Sequence, residues 1–188
     1  MEETLKAILD NFRLDVTLDL LWPELIICGI ALVTMIVEPF LKRDKKQPVI
    51  FLTWASLLAA LVYVIVLVSS RTSINDLMFS GTYLINTYSL MFKAIFLLGS
   101  LLTVFISSGY LKYKDAPDGE FYSLILFATF GMMLMASAAD LIVLFIGLEI
   151  MSICLYVLAG FLRREIVSNE ASLKYFLMGA FASGFLIF

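Results

Sequence analysis

Six ionisable side chains fall inside, or at the edge of, apolar runs where lipid rather than water would surround them: Glu24, Glu38, Lys93, Asp140, Glu149 and Lys174. The sharpest case is Glu149, in the stretch GLEIMSICLYVLAGFLRR at 147–164. If the helix starts after Asp140, Glu149 lies about 13 Å along it, close to the bilayer midplane. An ionisable group there costs roughly 2.5–3.5 kcal/mol even on lenient insertion scales. The nearest cation along the same helix, Arg163, is about 20 Å away. Glu149 must therefore face protein or water, and either take a proton or meet a cation from another helix. Such a carboxylate reads as a proton-relay group, with a satisfied structural acid as the alternative.

Lys174 opens the apolar run LKYFLMGAFASGFLIF. Its long stem can snorkel to the interface. Alternatively the small residues Ala171, Gly179, Ala182 and Ser183 draw it into a helix interface, where a buried ammonium gives up its proton readily. A carboxylate and a lysine that tune each other's proton affinity are the minimal parts of a charge-coupled relay, which makes Lys174 the leading candidate partner for Glu149. Lys93 divides between snorkelling and an interior ion pair. Glu24, directly after Pro23, fits the start of the first helix, where negative charge is favoured. Glu38 is placed to pair with lysine at the interface, and Asp140 to serve a hairpin turn.

The elements that hold these residues come from long apolar blocks. The chain is 62% hydrophobic and 15% charged, against roughly 45–50% and 25% in soluble domains. The expected fold class is all-α, a polytopic transmembrane bundle of about six helices near 21–41, 49–69, 87–110, 121–139, 141–162 and 172–188. Residues 1–120 form an N-terminal group of three helices with their loops, and 121–188 the start of a translocation core. Only Ala139-Asp140 separates the fourth and fifth blocks, so these make a tight helical hairpin. The lysines and arginines alternate: the 42–48, 111–120 and 163–171 loops carry eight, the opposite side three (Lys6, Arg13 and Arg71). The positive-inside rule then places the N-terminus outside. The acidic N-terminus lacks a signal-peptide n-region, so the first block is expected to stay as a span. The last block stops on apolar residues at Phe188, as expected for the front part of a longer protein.

The same composition excludes other chemistry. There is no histidine, and Cys28 and Cys154 sit alone in apolar blocks, so a zinc, haem or iron–sulfur site made by this chain is not expected. No basic, aromatic-interleaved patch exists for nucleic acid.

The run FYSLILFATFGMMLMASAADLIVLFIGLEIMSICLYVLAGFLRR, followed by NEASLKYFLMGAFASG, resembles the antiporter-like proton-translocating subunits of complex I, and the N-type subunit of NADH-quinone oxidoreductase above the others. The marks are Gly131-Met132-Met133, Ala136-Ser137-Ala138, Leu148-Glu149, Tyr156 to Gly160 and Glu170 to Phe176, with Pro23-Glu24-Leu25 at the front. The resemblance implies that Glu149 matches the family's essential membrane glutamate and Lys174 its lysine on the next helix. It implies a larger inverted-repeat fold of roughly fourteen spans, of which this is the front. It further implies a translocase subunit of an enzyme whose NADH, FMN, iron–sulfur and quinone chemistry lies in partner subunits, with no cofactor bound by this chain. The partners would be other membrane subunits and the lipid bilayer, in an energy-transducing membrane such as the bacterial inner membrane. Rivals are a subunit of a multi-subunit sodium/proton antiporter and a structural scaffold. One departure is Cys154, where the family often carries proline, so a helix break just after Glu149 does not carry over.

Overall fold

A computed structural model describes residues 14–41, 47–70, 75–114 and 118–188. Lys6, Arg13, the basic 42–46 stretch and Arg71 lie outside the described residues, so the charges that set orientation are mostly not placed. Among the described residues six long helices run in order: α1 Leu14–Val37, α2 Gln47–Ser70, α3 Thr87–Tyr113, α4 Asp118–Ala136, α5 Leu141–Ala159 and α6 Ile166–Ile187. Five, α1 to α5, are long and apolar enough to cross a membrane. The sixth carries Glu170 and Lys174 in its first half, which lowers its hydropathy.

Two elements differ from expectation. The first helix begins at Leu14, so Pro23 is internal and Glu24 lies three turns in; the helix-start reading of Glu24 does not hold. Between α2 and α3 the chain forms an antiparallel hairpin, β1 Asn75–Met78 and β2 Tyr83–Asn86, around a turn in which Gly81 has φ +92°. Its alternation is short, and flanking helical blocks mask it in a sequence scan.

The helix α4 touches α1, α2, α3 and α5 and is the centre of the bundle. Leu20, Ile27, Leu57, Val64, Leu97, Val104, Leu126 and Met133 from α1 to α4 interlock in one apolar core. Outward rows such as Leu25, Leu32 and Ile36 on α1 and Phe105 and Ile106 on α3 are exposed, as lipid-facing surfaces require. The pair α4–α5 approaches closest at two glycines. A Cβ on Gly131 would stand 2.7 Å from both the Gly147 carbonyl oxygen and the Met151 amide nitrogen. At Gly147 it would stand 2.9 Å from the Gly131 carbonyl oxygen. Backbone meets backbone here, and no side chain fits.

At one end of the bundle Lys114 of the α3–α4 connection pairs with Glu165 of the α5–α6 connection at 2.6 Å, and Arg163 reaches Glu120 at 3.6 Å. The Glu165 carboxylate holds the Lys114 ammonium above its usual range, chiefly by that hydrogen bond. At the other end the hairpin is tied to the α4–α5 link: Leu84 N donates to the Ser137 carbonyl at 2.8 Å, and Ala139 N to the Thr82 carbonyl at 3.0 Å.

Candidate functional site

Glu149 is the ninth residue of α5, about 12 Å from Leu141 by helical rise, in the middle of the span. The link that delivers it is short because Asp140 caps the helix, its carboxylate accepting from the Ile142 amide at 3.4 Å. Asp140 thus has a structural role at the helix start. The helix continues unbroken through Cys154, which is buried and packs as a small apolar group. Glu149 itself is half-buried, and its Oε1 is buried with no hydrogen-bond partner among the described residues. A membrane carboxylate left this way is costly to keep charged and unmet.

Lys174 does not supply that partner. Packing of α6 on α5 uses Ser168, Ser172, Gly179 and Ser183: the Ser172 hydroxyl donates to the Tyr156 carbonyl at 2.8 Å, the Ser168 hydroxyl donates to the Ala159 carbonyl at 2.8 Å, and the Tyr156 ring lies against Gly179. Ser168, Ser172, Gly179 and Ser183 form one stripe of partly covered residues. Two residues beyond Ser172, Lys174 points about 200° away from it around the helix. It is 71% exposed and pairs with Glu170, one turn back, at 2.5 Å. None of α6 is buried, so the face bearing Lys174 turns away from α5. Of the small residues expected to mark the interface, Gly179 and Ser183 lie on the partly covered stripe while Ala171 and Ala182 are exposed, and the face packed on α5 excludes the lysine.

The structure instead forms an interior ion pair between two residues ranked lower by sequence. Lys93 on α3 meets Glu24 Oε1 on α1 at 2.5 Å, with side-chain exposures of 0% and 3%. Snorkelling is closed to a lysine with no exposed surface. The Tyr83 hydroxyl from β2 donates to the same Oε1 at 2.8 Å, and Lys93 Nζ lies 3.5 Å from that hydroxyl and 5.4 Å from the ring centre. Burial first, then the Glu24 carboxylate, push the Tyr83 phenol well above its usual range, so it donates and does not ionise. Sequence reasoning missed Tyr83. The available signal was two opposite intramembrane charges at similar depth from one side, followed by a tyrosine in the connecting loop. Glu38 is buried against α4, where a Cβ on Gly119 would collide with its side chain.

No group of three or more His, Cys, Asp and Glu side chains that could hold a metal occurs among the described residues. The chemistry on offer is proton binding and charge compensation.

Residues 138–188 match a family model described as NADH:quinone oxidoreductase/Mrp antiporter, transmembrane. Subunit N of NADH-quinone oxidoreductase from Trichlorobacter lovleyi is 41% identical over 174 residues, which cover 92% of this chain and 35% of that protein. Its namesake from Rhodospirillum rubrum is 41% identical over 166 residues, 88% of this chain and 34% of that one. Among solved structures, a chain of respiratory complex I from Thermus thermophilus with bound aureothin superposes with a TM-score of 0.70 at 31% identity, over 87% of this chain and 34% of that chain. An archaeal membrane-bound sulfane sulfur reductase shares the fold, with a TM-score of 0.71 at 19% identity. The chain thus spans about a third of the length of the relatives it matches. Glu149 and Lys174 both lie inside the region that matches the family model described as NADH:quinone oxidoreductase/Mrp antiporter, transmembrane.

Proposed function

We propose that this chain is the front part of a proton-translocating subunit of NADH-quinone oxidoreductase, in which Glu149 is the proton-carrying carboxylate. The observation that carries this reading is a midspan glutamate with a buried, unpartnered oxygen, set on a helix that glycines 131 and 147 lock against the centre of the bundle. A carboxylate kept for packing would be paired within its own bundle; one kept for transport needs unspent binding capacity. Protonation of Glu149 relieves its desolvation, and a cation arriving from a neighbouring helix drives the proton off again.

Lys174 belongs to the same reading as a second carrier. Its exposed face on α6 is open to further helices of a longer chain, where Glu170 is its first charge partner. Residues 121–188 are then the start of the translocation core, and residues 1–120 the helices that brace it. Electron transfer, and the NADH, flavin, iron–sulfur and quinone groups that perform it, sit in partner subunits. The reading places the chain in a bacterial inner membrane with its N-terminus outside, by the positive-inside rule.

The family description also covers Mrp antiporters, whereas the curated relatives above are named as NADH-quinone oxidoreductase subunits. Sealed membrane vesicles from a strain carrying the full-length gene decide between them. The expected outcome is an NADH-driven proton gradient that is lost in Glu149→Gln and is indifferent to sodium. Sodium-driven proton exchange without NADH oxidation would contradict the proposal.

A further inference from the structure

The buried pair of Glu24 and Lys93 is built unlike a simple packing clamp. Both donors, the Lys93 ammonium and the Tyr83 hydroxyl, converge on one carboxylate oxygen. The other oxygen, Oε2, is buried with no hydrogen-bond partner among the described residues. An ion pair that only holds two helices together satisfies both oxygens, because each bare one forfeits its hydration without return. The buried Ser137 Oγ lies beside the Tyr83 phenol and interacts with it. One unspent carboxylate oxygen therefore occurs in a buried polar cluster at the end of α4.

That placement matters, because residues 137–140 are the link that leads into α5. The hairpin strand carrying Tyr83 is bonded to this link through Ser137 and Ala139, and Ala139 is exposed at the bundle end. Lys93 lies about 9 Å inside α3 from Thr87. The cluster thus runs from a fully buried ammonium, through a carboxylate with a free oxygen, to a serine at the non-helical end of the bundle. The charged and titratable groups that meet Glu24 are Lys93 from α3 and Tyr83 from β2.

We infer that Glu24 and Lys93 are a second proton-transfer site of this chain, opening toward the 137–140 link. The inference rests on the reading of the chain as proton-translocating. In the transfer an N–H bond of Lys93 breaks and an O–H bond on Glu24 forms, so an ammonium–carboxylate pair becomes an amine and a carboxylic acid with no change in net charge. The acid then releases its proton past Tyr83 and Ser137 to the outer end, and the amine takes a proton from the inner side. One proton moves and no redox partner is needed. Lysine suits this step because a buried ammonium can lose its proton, which arginine does not do in proteins.

The test is Lys93→Arg in the full-length subunit within the assembled complex, with Glu149→Gln measured alongside. Arginine keeps the charge and the ion pair but cannot deprotonate. The expected result is assembled enzyme that transfers electrons while protons pumped per NADH fall at least twofold. Wild-type pumping in Lys93→Arg, with pumping lost in Glu149→Gln, would overturn this inference and leave the reading above intact. Wild-type pumping in Glu149→Gln would instead remove the reading on which it rests. Should the larger arginine prevent assembly, the neutral double variant Glu24→Gln with Lys93→Gln decides. Reduced pumping supports the site, and undiminished pumping shows that the pair only packs.

Discussion

At the scale of single residues, the chain handles the intramembrane carboxylates Glu24 and Glu149 in opposite ways. Glu24 is compensated inside the bundle by Lys93, and Glu149 is not compensated by any described residue. Breaking a buried pair by removing one partner strands the other charge, at a cost of about 3–5 kcal/mol. Lys93→Met or Glu24→Leu alone should therefore lower the thermal unfolding temperature markedly, and the two together should recover most of the loss; a double variant whose loss equals the sum of the two singles would deny that the residues form a pair. Tyr83 gives a pH prediction. Its folded pKa lies above the unfolded value of 10.0, so its contribution to stability is complete below that pH and is lost as pH rises beyond it. Ultraviolet titration should show one fewer late-ionising phenol in Tyr83→Phe. A tyrosinate signal near pH 10 that vanishes in the variant would mean the phenol is not sealed.

At the scale of elements, two contacts aim the candidate residues. The glycine crossing of α4 and α5 sets where Glu149 sits, and Gly131→Ala adds a methyl into backbone 2.7 Å away. Overpacking of this kind costs about 1–3 kcal/mol. The variant should lose stability and shift the environment of Glu149, seen as slowed pumping with the carboxylate intact; unchanged stability would mean that the crossing is loose. The rotation of α6 is checked by cysteine pairs in a background without Cys28 and Cys154. Gly160→Cys with Ser172→Cys faces across the contact and should cross-link on oxidation, whereas Gly160→Cys with Lys174→Cys should not. Much of this level was legible in the sequence. Apolar blocks bounded by charge gave the six helices and the α4–α5 hairpin, because length and hydropathy are properties of the chain itself. Helix rotation was not legible. The small residues around Lys174 pointed to an interface without saying which face of α6 bears it, and only the partner helix decides that. The hairpin escaped for a related reason: it is tied to the α4–α5 link by tertiary hydrogen bonds, not marked by local hydrophobic pattern.

At the scale of the whole molecule, the bundle has a tightly made half and an open half. The helices α1 to α4 share one core, while α6 has no fully buried residue and leaves Lys174 on a bare face. Exposed clamps such as Lys114–Glu165 add little, so the core carries the fold. Midspan Glu149 sits between the two, held from one side by the glycine crossing and unmet on the other. Its role is the central claim. The most direct measurement is the number of protons pumped per NADH oxidised by the assembled complex carrying Glu149→Gln, with Glu149→Asp beside it and electron transfer recorded in the same vesicles. The account predicts a large loss of pumping in the glutamine variant and at least partial retention in the aspartate variant. Undiminished pumping by Glu149→Gln in fully assembled enzyme would contradict it.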